Sequence, residues 1–476
     1  MMGLLTAVPL SRGISSQGMM VAAGVLIAAA VGGVALVWLP MLALLPLALL
    51  VAALLIASAP FRAAFLVFGG LTVLQSSDGV DLIKFGYLLG AGVAFVAALV
   101  NLRSLGATRS YQLLRAVIMV SLLLASLVAL SIVNSLAHGA SLTLWVRDAA
   151  PYLLFAAVPV LVLDLQSKAS SKLVIAMFVI AGMLAALSFT VEWLDRRHLA
   201  ELPITRIALP SGALRSALYV FALSGALLAS GSRARAGWAM LAGLIYALTF
   251  ITGTRSTSLL LLLVAPVVWL FAAKQARAII GPTLRLATVA GGAVLFTVLI
   301  MQLLATFTNF SPGAVMARYW TITNLAQNVE ADGSYQERMV ETRLAWRAFT
   351  AEPVIGAGPG HLFEWTSPGG HARSSLVIDT SLSLLAKFGA AGGLALLALV
   401  IAFGASLRNM ARGSPITVPQ VALVAFAAIS FLNLPLSALL EDKGFSFGLL
   451  FLLALSLPNE RGADQIQPGT HDRGAT

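Results

Sequence analysis

The chain has 476 residues, of which 59% are hydrophobic and only 10% charged, and its formal net charge at pH 7 is +11. A mean hydropathy of +0.94, with apolar runs of bilayer length along most of the chain, excludes an ordinary soluble domain. Because there is no cysteine, disulfides, thiolate metal sites and cysteine nucleophiles are excluded as well. The sequence therefore predicts an all-α polytopic membrane protein.

Apolar segments recur from the start of the chain to its end. The candidate spans are residues 19–39, 41–58, 63–76, 84–101, 115–133, 149–164, 173–192, 213–231, 237–252, 256–273, 286–305, 389–407, 418–438 and 444–457. Several are short or adjoin closely, so we expect about 12–14 transmembrane helices. The polar start lacks the features of a cleaved signal peptide, and we interpret it as a cytoplasmic tail before an uncleaved anchor.

Basic residues are distributed asymmetrically among the segments that join the spans. With a cytoplasmic N-terminus, the inside loops collect most of the lysines and arginines and few acids, whereas the external segments are nearly balanced in charge. Arg12, Arg62, Arg103, Lys168 and Arg408 are among the inside residues. The pattern predicts a multi-pass protein of a bacterial inner membrane, with both termini cytoplasmic. It explains the positive charge without a nucleic-acid partner.

One long polar segment divides the chain. Residues 1–249 and 411–476 hold the N-terminal and C-terminal helices, the latter followed by a cytoplasmic tail, and residues 250–410 include a periplasmic loop at 307–388. This loop concentrates arginine, histidine, glutamate and glycine that a bilayer does not tolerate. We therefore expect the active site to face the periplasm there.

Arginines at the predicted external edge have two interpretations. Arg255, in TGTRSTS, lies between two apolar runs, and Arg215 ends a second external loop that begins at Glu192. An arginine at such an edge can snorkel to the interface, or it can hold a pair of phosphate oxygens with its planar fork.

The stretch SYQERMVETRLAWRAF places apolar residues in helical register and predicts an amphipathic helix within the long loop. Arg338, Arg343 and Arg347, with Trp346 beside them, form either a solvated face or part of a site for a lipid-linked pyrophosphate.

The glycines of AEPVIGAGPGH follow this helix, at Gly356, Gly358 and Gly360. They have no strand–turn–helix context, so we expect either tight loop packing or a backbone turn beside the active cavity rather than a nucleotide site. His361 and His371 then supply candidate general bases.

The stretch IDTSLSLLAKF predicts a helix half-sunk at the external surface, with Thr380, Ser383 and Lys387 in a polar stripe. We expect it to end at GAAGG, before the next span. Asp379, at its start, is either a cap-like carboxylate or a general base.

Taken together, TGTRSTSLLLLL, an arginine shortly before Trp346, EPVIGAGPG and FGAAGGLALLALV resemble the O-antigen ligase and polymerase family of bacterial surface polysaccharide assembly. The resemblance covers about residues 250–410. It implies a glycosyltransferase that needs no metal, nucleotide or other cofactor. Such an enzyme takes a glycan from undecaprenyl pyrophosphate and joins it to an acceptor glycan, and the resemblance allows for a chain-length regulator as a further partner.

The resemblance also assigns roles. Arg255 matches the arginine of the family's T-G-S-R step, and Arg343 or Arg338 matches the one ahead of tryptophan. Where the family has His-Asn this chain has Asp379 and Thr380, which favours a polymerase over a ligase. The candidate catalytic residues are Asp379, His371, Arg255 and Arg343, and the candidate substrate-binding residues are Arg338, Arg215, Arg347, Trp346 and His361.

Two other classes of protein compete with this interpretation. A flippase for lipid-linked glycans would have charged residues within its spans and a duplicated architecture, whereas here the charges concentrate in one external loop. A structural assembly subunit would have no reason to gather arginines and histidines at a membrane edge.

The orientation can be tested directly, since the chain contains no cysteine. A Ser334→Cys variant should react with a membrane-impermeant thiol reagent added to intact cells with a permeabilised outer membrane, and a Ser232→Cys variant should not. Labelling of the Ser232→Cys variant alone would show that the predicted orientation is reversed.

Overall fold

The computed structural model describes residues 40–73, 82–102, 106, 108–196, 212–252, 255–307, 310–320, 333–367, 370–374, 380–411, 416–434 and 437–458. These residues are overwhelmingly helical. The helices are α1 Pro40–Ala57, α2 Ala59–Val73, α3 Leu82–Leu102, α4 Arg109–Ala137, α5 Leu142–Lys168, α6 Ser171–Arg196, α7 Gly212–Leu228, α8 Ser232–Ile251, α9 Arg255–Ala276, α10 Ile280–Phe307, α11 Pro312–Trp320, α12 Gly333–Ala351, α13 Leu382–Ala411, α14 Val418–Asn433 and α15 Lys443–Ser456. A short antiparallel hairpin, β1 Phe363–Ser367 and β2 Gly370–Ser374, lies between α12 and α13.

Seven of the described helices are long and apolar enough to cross a membrane, namely α3, α4, α5, α8, α9, α10 and α13. Six shorter apolar helices, of 10–17 residues, correspond to α1, α2, α7, α14, α15 and the first part of α6. The prediction of an all-α polytopic membrane protein is confirmed. The predicted total of spans depends on whether the shorter helices also cross, and the first candidate span, 19–39, lies outside the described residues.

Helix α5 is the centre of the bundle. Its most apolar window is 83% buried, against 17% to 39% in the other long helices. It packs against α3, α4 and α15, and α15 in turn packs against α7 and α14. The outer helices carry large exposed apolar side chains such as Leu130, Val294 and Ile401. So large an apolar surface is unfavourable in water and is typical of helices that face lipid.

An ion pair is buried at the C-terminal end of α5. Arg62, which is 0% exposed, donates from Nε to Oδ2 of Asp164 over 2.7 Å and from Nη1 to the carbonyl oxygens of Leu55 and Ile56. Asn101 donates to the other oxygen of Asp164 at 3.2 Å. These contacts join α1, α2, α3 and α5 on the predicted cytoplasmic side.

The interpretation that the charges concentrate in one external loop is therefore wrong. Arg62 and Asp164 lie inside the bundle, and further charged residues are buried at the opposite end of α5, as described below. Periodicity and hydropathy did not identify these buried charges, because each charged residue lies close to the end of an apolar run. A charge in that position is interpreted as the end of a membrane span.

The predicted end of the helix at GAAGG is confirmed. The range given for α13 contains two helical segments separated by a break at Gly389, whose φ of +59° favours glycine. A Cβ at this position would collide with the backbone of Val354 and Ile355. Thr380, Ser383 and Lys387 are buried, so the polar stripe faces the bundle and not the membrane surface.

The Arg62–Asp164 pair generates a stability prediction. Arg62→Met should lower the free energy of unfolding by about 3–5 kcal/mol, because it leaves a buried carboxylate without its main partner. The measurement is thermal unfolding in detergent, with the exposed Arg233→Ala as the matched control. The double variant Arg62→Met/Asp164→Leu should recover part of the loss, and an unchanged melting temperature in Arg62→Met would contradict the assignment.

Candidate functional site

Three consecutive charged residues, Glu441, Asp442 and Lys443, join α14 to α15 on the predicted external side. A 3-10 turn at Leu439–Glu441 brings the chain back into the bundle, and Asp442 caps α15 by accepting the N–H of Gly444 at 2.8 Å. The three side chains interact with different helices. We call the resulting group the charged hub; it consists of Lys84, Arg147, Asp148, Arg215, Lys387, Glu441, Asp442 and Lys443.

Lys387 is the most enclosed member of the charged hub, at 0% exposure. Its Nζ donates to Oε1 of Glu441 at 2.9 Å and lies 3.6 Å from Oδ2 of Asp148. The hydroxyl of Tyr152 donates to the same Oε1 at 2.9 Å, and its ring packs edge-on against Phe388. A buried ammonium group requires acceptors or carboxylates close to it. The contacts of Lys387 with these residues connect α13 to α5 and to the turn before α15.

Asp148 links the charged hub to the glycine loop after α12. Its Oδ1 accepts from Nε of Arg147 at 3.1 Å, and its Oδ2 accepts the N–H of Gly360 at 3.0 Å. All three loop glycines, Gly356, Gly358 and Gly360, are buried and have positive φ. The predicted tight packing of this loop is confirmed.

The same loop is not a phosphate cradle. The N–H groups of Ala357 and Gly358 donate to the carbonyl oxygens of Ala386 and Lys387, at 2.8 and 3.0 Å. With the N–H of Gly360 bonded to Asp148, these donors serve the packing of the loop against α13 and α5.

Arg215 is a member of the charged hub whose hydrogen-bond donors are not all used by the described residues. It is 1% exposed, one turn into α7, and lies in the field of Asp442, whose Oδ2 accepts the N–H of Ala213 at 3.1 Å. Its Nε and Nη1 are buried and make no hydrogen bond within the part of the chain that the structure describes. Buried charged donors without acceptors are costly, so this guanidinium points to an anionic ligand.

The charged hub as a whole has a surplus of positive charge. It contains two more basic than acidic residues, and Lys443 lies within electrostatic range of both Lys84 and Arg147. Gathering like charges at a membrane edge is unfavourable unless an anion offsets them. The surplus matches the charge of a diphosphate diester.

His361 follows Gly360 and is half-buried, with its ring edge-on to Phe363 at 4.9 Å. Burial, and to a lesser extent the nearby His138, lowers the pKa of His361 below its ordinary value. The imidazole is therefore neutral at pH 7 and can donate one hydrogen bond and accept another. Among the predicted site residues whose side chains the structure describes, Arg215 belongs to the charged hub and His361 follows a glycine bonded to it.

The remaining predicted residues lie elsewhere or outside the description. Helix α12 packs through Ala345 against α13 and exposes Arg343, Trp346 and Arg347 on its other face. Arg338 is half-buried on the same helix.

Arg255 begins α9 and is half-buried, one turn before Ser258, whose hydroxyl bonds that of Tyr319 at 2.9 Å. The backbone of His371 pairs with Thr366 in the hairpin, but its side chain is outside the description, as is all of Asp379.

Sequence reasoning missed Asp148 and the run Glu441 to Lys443. The available signal was three successive charges between two apolar runs, in a connection too short to form a solvated loop. An open depression of about 430 Å³ on the predicted cytoplasmic side, near Ser230, Gln275 and Thr417, has no charged lining residue and does not compete with the charged hub.

No model of a known protein family matches this chain, and no curated protein matches it in sequence. Among the described residues there is no group of three or more histidine, aspartate and glutamate side chains arranged to hold a metal ion.

The glycine loop generates the prediction for this site. Gly360→Ala should lower thermal stability and loosen the bond to Asp148, because φ is +81° and a Cβ would lie 2.8 Å from the backbone nitrogen of Trp145. The control is Gly92→Ala in α3, where a Cβ meets nothing within 4 Å and alanine favours the helix. Equal melting temperatures for the two variants would refute the tight packing.

Proposed function

We propose that the protein is a membrane glycosyltransferase that takes an oligosaccharide from a polyprenyl-pyrophosphate donor at the external face of a bacterial inner membrane. The observation that carries this proposal is Arg215, a buried guanidinium with two unbonded nitrogens in a cluster with surplus positive charge. A planar fork of donors suits paired phosphate oxygens. Such a ligand reaches a membrane-edge site when it is attached to a lipid.

The chemistry proposed is a displacement at the anomeric carbon. A hydroxyl of the acceptor glycan attacks, the bond between the sugar and the pyrophosphate oxygen breaks, and the lipid-linked pyrophosphate leaves. Charge develops on that oxygen in the transition state, so cations fixed beside it lower the barrier. Arg215 and Lys443 supply the charge in this scheme, without a metal ion.

The resemblance to the O-antigen ligase and polymerase family supports the same reaction class. Asp379-Thr380 in place of His-Asn favours polymerisation of repeat units in O-antigen, exopolysaccharide or capsule assembly over ligation to a final acceptor. In this scheme both donor and acceptor are lipid-linked glycans.

Transport of lipid-linked glycans is the second candidate function. It is favoured by the charged clusters buried at both ends of α5, around Asp148 and Asp164, because a transporter can use such pairs as its two gates. The two candidate functions predict that lipid-linked repeat units accumulate on different leaflets when the gene is deleted. A deletion strain lacking a polymerase accumulates single repeat units on the external leaflet, and one lacking a flippase accumulates them on the cytoplasmic leaflet.

Arg215 provides the direct test. Arg215→Ala should weaken binding of undecaprenyl pyrophosphate to the purified protein in nanodiscs by at least about 100-fold, because hydrogen bonds to charged groups contribute about 1.5–3 kcal/mol each. Arg215→Lys should recover only part of the affinity, since a point charge lacks the fork. The control is Arg233→Ala, an exposed arginine at the start of α8.

Transfer of lipid-linked repeat units in membranes should be lost together with binding. Wild-type affinity in Arg215→Ala would remove the observation on which the proposal depends. Binding without any glycosidic product in the wild-type protein would favour transport.

A further inference from the structure

The charged hub contains three carboxylates, and they differ in how their oxygens are used. Asp148 engages Oδ1 with Arg147 and Oδ2 with Gly360, and Asp442 engages both oxygens with the N–H groups of Ala213 and Gly444. These two carboxylates are occupied in holding the fold together.

Glu441 is different. Lys387 and Tyr152 both donate to its Oε1, and its Oε2 makes no hydrogen bond among the described residues. The two donors fix the plane and the rotamer of the carboxylate, so that Oε2 has a defined direction in which to accept a further hydrogen bond. Such preorganisation is typical of a group that receives a proton from a substrate.

The position of Glu441 relative to Arg215 also suits this role. Glu441 and Asp442 are consecutive, with Cα atoms about 3.8 Å apart, and Asp442 is the residue whose charge faces Arg215. A diphosphate on Arg215 and an acceptor hydroxyl at Glu441 would therefore both bind close to this short piece of backbone. A glycosyl transfer requires this proximity, because the attacked carbon lies one oxygen away from the phosphorus.

We propose, on the basis of the transfer function proposed above, that Glu441 is the general base of the reaction and that its Oε2 binds the hydroxyl of the acceptor glycan. The acceptor oxygen forms its bond to the anomeric carbon while the bond from that carbon to the pyrophosphate oxygen breaks. The bonding electrons leave with the pyrophosphate. The hydroxyl proton passes to the Glu441 carboxylate and then to external water.

Lys387 and Tyr152 are positioning residues in this scheme. Lys387 offsets the charge of the carboxylate in the ground state, and the Tyr152 hydroxyl holds Oε1 in place. Removing either should disturb the geometry of the base without removing its basicity. Tyr152→Phe should therefore cost less in turnover than any variant that removes the carboxylate.

The test is Glu441→Gln, which keeps the size of the side chain and an oxygen that accepts from Lys387 and Tyr152 but removes the basicity. We expect kcat for transfer to fall by about 10²–10⁴-fold, with unchanged affinity for undecaprenyl pyrophosphate and unchanged KM for the lipid-linked donor. Glu441→Asp should keep part of the turnover, because it retains a carboxylate that lies one methylene further back.

The matched control is Asp164→Asn, a carboxyl-to-amide change in the buried pair at the other end of α5. It should lower the melting temperature while leaving transfer per folded molecule unchanged. A purely structural role for Glu441 would make Glu441→Gln behave in the same way, and that result would overturn the proposal.

Other outcomes separate this proposal from the function on which it depends. Full turnover in Glu441→Gln, or a loss of donor binding as large as the loss of rate, would overturn the base assignment alone. If the wild-type protein neither binds the pyrophosphate lipid nor makes a glycosidic product, the proposed function fails. If Glu441→Gln does not accumulate in folded form, Glu441→Asp with full turnover and normal donor binding overturns the assignment.

Discussion

The burial of the Lys387 ammonium is the constraint on which the external half of the structure depends. A charge in surroundings of low dielectric constant is tolerated only when partners are held close to it, and removing one partner costs more than the pair contributes in net stability. Lys387 is therefore bound to both Glu441 and Asp148. Because these residues come from α13, the turn before α15 and α5, one side chain determines how three separate parts of the chain meet.

Several features follow from that arrangement. Asp148 also accepts the N–H of Gly360, so the glycine loop docks at the same point, and its positive-φ glycines allow the backbone to approach without side chains in between. The kink at Gly389 lets α13 present Lys387 to the bundle while its later residues continue as a membrane span. The break at Gly389 thus separates the polar segment that carries Lys387 from the apolar span that follows it.

Helix α5 carries a buried aspartate near each end. Asp148 and Asp164 are sixteen residues apart, which corresponds to about 24 Å along the helix, close to the thickness of the hydrocarbon layer. Each has a basic partner on another helix, Lys387 for Asp148 and Arg62 for Asp164, and the segment between them is almost entirely buried. The helix is consequently fixed at both ends, and the proposed chemistry takes place on a frame whose position is set by two ion-pair clusters.

Within that frame the charged hub divides its residues between two tasks. Both oxygens of Asp148 and of Asp442 accept hydrogen bonds that stabilise the fold. Among the described residues, Arg215 has donors without acceptors, and Glu441 has an oxygen that accepts no hydrogen bond. In the proposed reaction the first meets the leaving pyrophosphate and the second the attacking hydroxyl. Arg215 lies in the field of Asp442, and Glu441 precedes Asp442 in the chain, so the proposed binding of the donor and activation of the acceptor both depend on the capping turn of α15.

The sequence by itself determined the class of the protein, because hydropathy and length are enough to identify helices that cross a bilayer. It also predicted the amphipathic helix at 334–349, now part of α12, and the tight glycine loop, because period and turn chemistry are local. It offered Arg215 and His361 as candidate site residues, but no local pattern could show that Lys387 lies beside Asp148 and Glu441, residues far apart in the chain. Tertiary structure decided that pairing, since a buried charge finds its partner through the packing of helices and not through neighbours in sequence.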